Sequence, residues 1–378
     1  MIKLGDEIRE QIRQGHGDFQ LGKPLPWTVF DVEGRLLMRK GMVVETSQQL
    51  AMLADNAVYR TGGVTNQDDA SQVPRKSPFF QIAEMMGRLN TILSAIAVRQ
   101  PDVSIGSISQ LATHIQMMCA EDADASLAAI HLDHEGKYTV RHLIHGALLV
   151  ELVAYRLGYA PDDRHRIICA ALTANVGMLD LQERLLKQGK ITPEQRREIN
   201  LHPEESVNLL RKAGVKDSLW LEYVLQHHER IDGSGYPYGL QGDDILEGSR
   251  LIALADIYHA KISDRVNRAA MLPTDALRQM FLGQGQDIDL NLAKMFIKEV
   301  GVYPPGEFVC LVNGEIAVVT HRGQDGVSPR VASVITPRGV PFPRPLNRDT
   351  SNKEFAIKET AERNTSILLT DLLPLWGY

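Results

Sequence analysis

Over residues 103–300 the apolar side chains recur at helical spacing almost without interruption. That pattern restricts the stretch to a compact helical domain. The spacing predicts helices over 107–120, 125–131, 141–157, 161–173, 193–200 and 202–214. Four more follow over 219–228, 247–262, 273–281 and 289–299, joined by short turns rich in Gly or Pro.

Both flanks change period. Residues 27–31 and 35–38 read as two strands around the turn Glu33-Gly34, Thr46 or Ser47 caps a short helix through Leu53, and Val58-Tyr59 closes a small α+β unit. Residues 61–78 have linker composition, and 79–98 read as a helix that joins the units or pairs with a copy of itself. After Pro304-Pro305-Gly306, residues 307–312 and 315–320 flank Asn313-Gly314, a strong hairpin signal. Residues 331–336 suggest a further strand, 337–348 read as extended or loop, and 367–373 dock back on the core. The expected fold is mainly α, with a small N-terminal α+β unit and a C-terminal β-rich appendage. The expected boundaries are 1–65, 66–102 for linker and connecting helix, 103–305, and 306–378.

Composition narrows the function. The 41 basic against 47 acidic residues leave a net charge of −6, the wrong sign for a general binder of nucleic-acid polymers. Cys119, Cys169 and Cys310 are far apart and odd in number, which predicts reduced thiols and a cytoplasmic protein. The first residues carry mixed charge and no apolar run, so no signal peptide is expected, and the longest apolar runs, such as 251–255, are too short for a membrane span.

One segment carries chemistry: His227-His228-Glu229-Arg230-Ile231-Asp232-Gly233-Ser234-Gly235-Tyr236-Pro237. Adjacent histidines at a helix end, before a turn whose Gly233 and Gly235 let backbone approach a ligand, suit metal coordination beside a ligand-accepting loop. His142 and His202 open other predicted helices, and Asp256 lies between alanines on an apolar one. A carboxylate in that setting has to be paired or metal-bound. His114, His131, His134, His145 and His165 match no metal spacing and are expected at the surface or as caps; Met85-Met86 and Met117-Met118 are expected in the core.

The eleven residues 227–237 resemble the signature of the HD-GYP domains, a branch of the HD phosphohydrolases, and the resemblance extends over about residues 103–305. It implies an HD-type helical fold and a two- or three-metal site, usually iron or manganese, that hydrolyses cyclic di-GMP. Matching residue by residue, it implies metal ligands at His142, His202, His227, His228 and Asp256. It implies ligand contacts at Asp232, Gly233, Gly235, Tyr236 and Pro237. Arg265 and Arg268 match positions of phosphate-binding bases, with Val266-Asn267 where the family has Pro-Tyr.

The departure is sharper elsewhere. Where the family reads A-A-L-L-H-D-I-G-K, this chain reads Ala170-Ala171-Leu172-Thr173-Ala174-Asn175-Val176-Gly177-Met178. Ala174 replaces the histidine, Asn175 the aspartate that bridges both metals, and Met178 the lysine. The resemblance then leaves one metal only His142 and Asp256, and the other His202, His227 and His228. A neutral amide cannot bridge two cations as a carboxylate does. We therefore expect no confident catalytic residue, no two-metal centre, and at most one Fe, Mn or Zn on the three histidines. The expected role is a regulatory module in cyclic di-GMP signalling. It would bind the nucleotide or present the Gly-Tyr-Pro loop to a partner such as a diguanylate cyclase domain, with a homodimer as a further arrangement. The alternatives are a slow phosphodiesterase with a mononuclear site, and a scaffold without ligand.

Overall fold

The structure, a computed structural model, describes residues 2–3, 20–25, 29–30, 36–38, 42–56, 58–59, 76–100, 104–188, 190–264, 268–282, 288–323, 327–363 and 367–378. The expected Glu33-Gly34 turn and most of the expected linker lie outside these residues. In the N-terminal unit, strands β1 (Ile2–Lys3), β2 (Val29–Phe30), β3 (Leu36–Met38) and β4 (Val58–Tyr59) form an antiparallel sheet in the order β1-β4-β2-β3. Helix α1 (Ser47–Asn56) starts where Thr46 Oγ1 accepts from Gln49 N at 3.1 Å. The Gln49 side chain answers by accepting from Thr46 N at 3.2 Å, a reciprocal cap. Val29, Leu37, Leu50 and Leu53 make a small separate core.

The helical body begins with α2 (Pro78–Ala97), α3 (Gly106–Glu121), α4 (Ala123–Leu132), α5 (Tyr138–Leu157) and α6 (Pro161–Thr173). It continues with α7 (Leu179–Leu185), α8 (Pro193–Lys212), α9 (Ser218–Gln226), α10 (Glu247–Ile262), α11 (Pro273–Leu282) and α12 (Leu290–Val300). Helix α5 is the axis: almost every side chain on it is buried, including Glu151, which is 2% exposed. That carboxylate survives in the interior because Arg164 of α6 meets it with its Nε 3.1 Å from each oxygen and also donates to Tyr159 O. The N-terminal unit docks on the far end of α5, where Glu45 pairs with Arg156 at 3.0 Å and with Lys298 of α12 at 2.8 Å.

One sequence expectation fails here for a visible reason. Residues 193–212 form one helix, not two, with Pro203 inside it. Pro203 has no N–H for Ile199 O, and the His202 ring supplies the missing donor: Nδ1 lies 2.6 Å from that carbonyl. The 337–348 segment, expected as extended or loop, is largely strand. β8 (Pro341–Asp349) is the edge of an antiparallel sheet ordered β8-β7-β6-β5-β9, with β5 (Phe308–Leu311), β6 (Ile316–His321), β7 (Arg330–Ile335) and β9 (Ile357–Ala361). Prolines 341, 343 and 345 alternate along it, so their missing N–H groups fall on one side, which an edge strand tolerates. Helix α13 (Leu369–Leu372) and the turn after it return to the main core through Ile367, Leu372 and Trp376. Cys119 and Cys169 are buried free thiols, Met117 is exposed rather than in the core, and His131 and His145 are buried rather than at the surface.

Sheet and helices meet at Glu307, which is buried and accepts from Thr274 N at 3.0 Å and Thr274 Oγ1 at 2.6 Å. Burial pushes its carboxyl from an ordinary 4.5 up to about 7. The folded chain holds a proton there that the unfolded chain has released, so stability falls as pH rises from 4.5 to about 7. Glu307→Gln is expected to flatten the melting temperature over that window. A slope identical in both proteins would contradict the assignment.

Candidate functional site

Three imidazoles converge between α8 and the end of α9. Ligand-capable nitrogens of His202, His227 and His228 all lie within 4.8 Å of one another. His227 caps α9, and its Nδ1 reaches Val224 O at 2.6 Å, a carbonyl left over at the helix end. His202 Nδ1 is engaged by Ile199 O, as described above. A carbonyl can only accept, so both Nδ1 atoms carry the proton and both Nε2 atoms are bare lone pairs. Yet these two Nε2 atoms face each other at 3.2 Å, with Asn175 Oδ1 3.3 Å from His227 Nε2. Neither ring can donate to the other, and a divalent cation is the partner this donor set fits.

Electrostatics points the same way. Burial lowers the His202 ring to about 3, with His227 adding to it, and burial likewise lowers His227 and His228. Neutral rings are the state in which histidine ligates. Tyr236 stacks on His228 at 4.8 Å and meets His202 edge-on at 6.1 Å, roofing the triad.

The remainder of the expected first metal site is arranged differently. His142 Nε2 lies 2.6 Å from Asp256 Oδ1. Two ligands of one cation at about 2.0–2.2 Å each would enclose an angle narrower than a right angle at that separation, so the pair is bonded to itself. Behind it runs a buried file: His142 Nδ1 to His259 Nδ1 at 2.8 Å, then His259 Nε2 to His145 Nδ1 at 3.0 Å. With one proton per ring and Asp256 ionised, the protons fit in one way, each donated towards Asp256. The sum leaves His145 Nε2 without a proton, and among the described residues it is buried without a partner. Burial alone would raise the Asp256 carboxyl, but its close contact with His142 Nε2 holds it below the carboxylate range. Beside Ala174 and Asn175 a cavity of about 20 Å³, lined also by His142, His227 and Asp256, has room for about one water.

The strip that carries Ala174, Asn175 and Met178 is pinned to α8. Ser206 Oγ donates to Ala174 O at 2.8 Å and accepts from Gly177 N at 2.9 Å. A Cβ at Gly177 would meet Ser206 N at 2.6 Å, so only glycine allows this approach. Asn175 is therefore held against the triad by backbone, whatever its side chain.

Residues 232–237 form a tight loop closed by Glu229, which is 3% exposed and accepts from Tyr238 N at 2.7 Å and Leu240 N at 3.0 Å. A Cβ at Gly235 would strike Arg230 N at 2.4 Å and Glu229 Cα at 2.5 Å. Asp232 accepts from Ser234 N and Oγ, and Gly233, Gly235, Tyr236 and Pro237 are half-buried. The surface that the loop leaves outward is Asp232, Ser234 and Tyr238.

Beside the triad opens a cleft of about 360 Å³ whose lining includes His227, His228, Tyr236, Asp256 and Arg268. Arg268 donates to Ala260 O, and Arg265 lies outside the described residues. Sequence reasoning missed His259, Glu229, Arg196 and Lys261. His259 stands three residues after Asp256 on one helix, a spacing that shares a face; Glu229 sat unremarked inside the motif. Nothing in the sequence marked Arg196 or Lys261.

Residues 123–292 match the HD domain family model. A cyclic di-GMP phosphodiesterase of Pseudomonas aeruginosa is 30% identical over 239 residues, 62% of this chain and 58% of that protein. A 3'3'-cGAMP-specific phosphodiesterase of Vibrio cholerae is 33% identical over 150 residues, 39% of this chain and 32% of its own length. A solved chain described as an HDG"Y"P protein from Bdellovibrio bacteriovorus aligns at a TM-score of 0.48 and 15% identity, covering 75% of this chain and 96% of that one. The chain thus spans little more than half of the first relative and about a third of the second. Among the described residues no helix is long and apolar enough to cross a membrane.

Proposed function

We propose that residues 123–292, which are an HD domain, bind cyclic di-GMP over a single divalent cation and serve cyclic di-GMP signalling without efficient hydrolysis. One observation carries the reading: the bare Nε2 atoms of His202 and His227 face each other at 3.2 Å, and the group beside them at position 175 is an uncharged amide. His202, His227 and His228 would hold the ion, with Asn175 Oδ1 at its edge; Fe, Mn and Zn all suit imidazole. A cation held there polarises a phosphoryl oxygen.

The protein's own groups do the rest. Tyr236 roofs the triad and excludes water from one side. Asp256, the carboxylate of the expected first site, is engaged by His142 and so is not available to bridge to a second ion. The outward Asp232, Ser234 and Tyr238 offer a contact for a protein partner such as a diguanylate cyclase domain.

The test is a titration of the full chain, loaded with Mn, with cyclic di-GMP, followed by chromatography of the mixture. Saturable binding with the nucleotide recovered intact is expected. Absence of binding overturns the proposal. Repeated turnover to a linear product, lost in His227→Ala, replaces it with the mononuclear phosphodiesterase.

A further inference from the structure

The cleft beside the triad is lined by five basic residues, Arg196, Arg230, Arg250, Lys261 and Arg268, against three acidic ones, Glu229, Asp256 and Asp289. The acids are all engaged inside the protein. Glu229 closes the loop through two backbone amides, Asp256 takes His142, and Asp289 caps α12 while pairing with Arg250 at 2.9 Å. The cleft is therefore cationic in a chain whose net charge is −6.

Two of the bases stand on different elements. Arg196 is exposed in the first turns of α8 and lines the cleft together with Arg230 and Tyr236, the roof of the triad. Among the described residues no carboxylate pairs with the Arg196 guanidinium. Lys261 sits near the end of α10, five residues beyond Asp256, and donates to Gln279 Oε1 at 3.0 Å, a neutral acceptor; among the described residues no carboxylate pairs with it. Among the described residues the Arg268 guanidinium likewise meets a carbonyl, Ala260 O, and no carboxylate. Met178 does not line the cleft, so no cation enters it from the 174–178 strip.

We infer that Arg196 and Lys261 form a two-sided phosphate clamp, Arg196 with the triad holding one phosphodiester and Lys261 with Arg268 the other, so that the site selects ligands carrying two separated phosphodiesters. This rests on the binding function proposed above. It gives the cation absent at position 178 a replacement from α8, and an arginine suits that task because its planar fork bonds two phosphate oxygens at once.

Calorimetric titration of the Mn-loaded full chain with cyclic di-GMP, at two salt concentrations, tests the clamp. Arg196→Ala and Lys261→Ala are each expected to weaken binding about tenfold and, combined, about a hundredfold, with a shallower salt dependence. Arg196→Lys is expected to recover part of the loss, and Arg211→Ala, an exposed arginine at the other end of α8, to match the unaltered chain. If both alanine variants bind like the unaltered chain while His227→Ala does not, the clamp is wrong and the binding function stands. Loss confined to one of the two overturns its two-sidedness. No binding by the unaltered chain overturns clamp and function together.

Discussion

Replacing His227 with alanine is expected to lower the chain's affinity for a divalent cation by about a thousandfold, roughly 4 kcal/mol. His227 is the hinge of the triad: 1% exposed, fixed by Val224 O through Nδ1, 3.2 Å from His202 Nε2 and 3.3 Å from Asn175 Oδ1. Its loss leaves two imidazoles, too few to hold an ion against water. Because the ion binds only the folded chain, it stabilises by mass action, so chelation lowers the melting temperature of the unaltered protein. The alanine variant, compared with the chelated parent, should melt close to it and gain nothing from added Mn. A variant still stabilised by Mn as strongly as the parent would remove the triad from the account.

The second large effect runs the other way. Ala174→His with Asn175→Asp is expected to raise the bound metal from one to two per chain and to increase cyclic di-GMP hydrolysis at least about a hundredfold, roughly 3 kcal/mol of barrier. The backbone is already placed: Ser206 and Gly177 hold this strip on α8, so an aspartate at 175 lies where the amide now meets His227. The restored histidine projects towards His142 and Asp256 across a cavity of only about 20 Å³. It fits only if the 2.6 Å bond between His142 and Asp256 opens, which a cation accepting both groups compensates. Asn175→Asp alone brings the bridge without the missing shell and is expected to give a partial gain in metal.

The helical body was legible because its core side chains repeat with the helical period; α6 and α10 begin and end where the spacing placed them. Periodicity failed where a side chain did a backbone's task. Pro203 reads as a break, and only the His202 ring on Ile199 O shows why the helix runs through and why that histidine has its lone pair turned to the site. The Pro-rich stretch was legible as extended or loop, and it forms a strand because alternating prolines forbid an inner strand but suit an edge. In the site, the triad residues stood out as unusual types at helix ends. His145 and His259 did not, because a buried histidine file is defined by which helices pack, not by spacing along one. Arg196 and Lys261 look like any helix surface until the fold brings both to the lining of one cleft. Met117 shows the converse: apolar in type, yet it stands on the outward side of α3 while Met118 beside it is buried.

The direct measurement is elemental analysis of the purified chain after Mn reconstitution and removal of loose ion, alongside the Ala174→His, Asn175→Asp variant. One ion per chain in the parent and two in the variant is the expected result. Two per chain in the parent would mean that an uncharged amide sits within a working dinuclear centre, and the case for a binder rather than a hydrolase would end there.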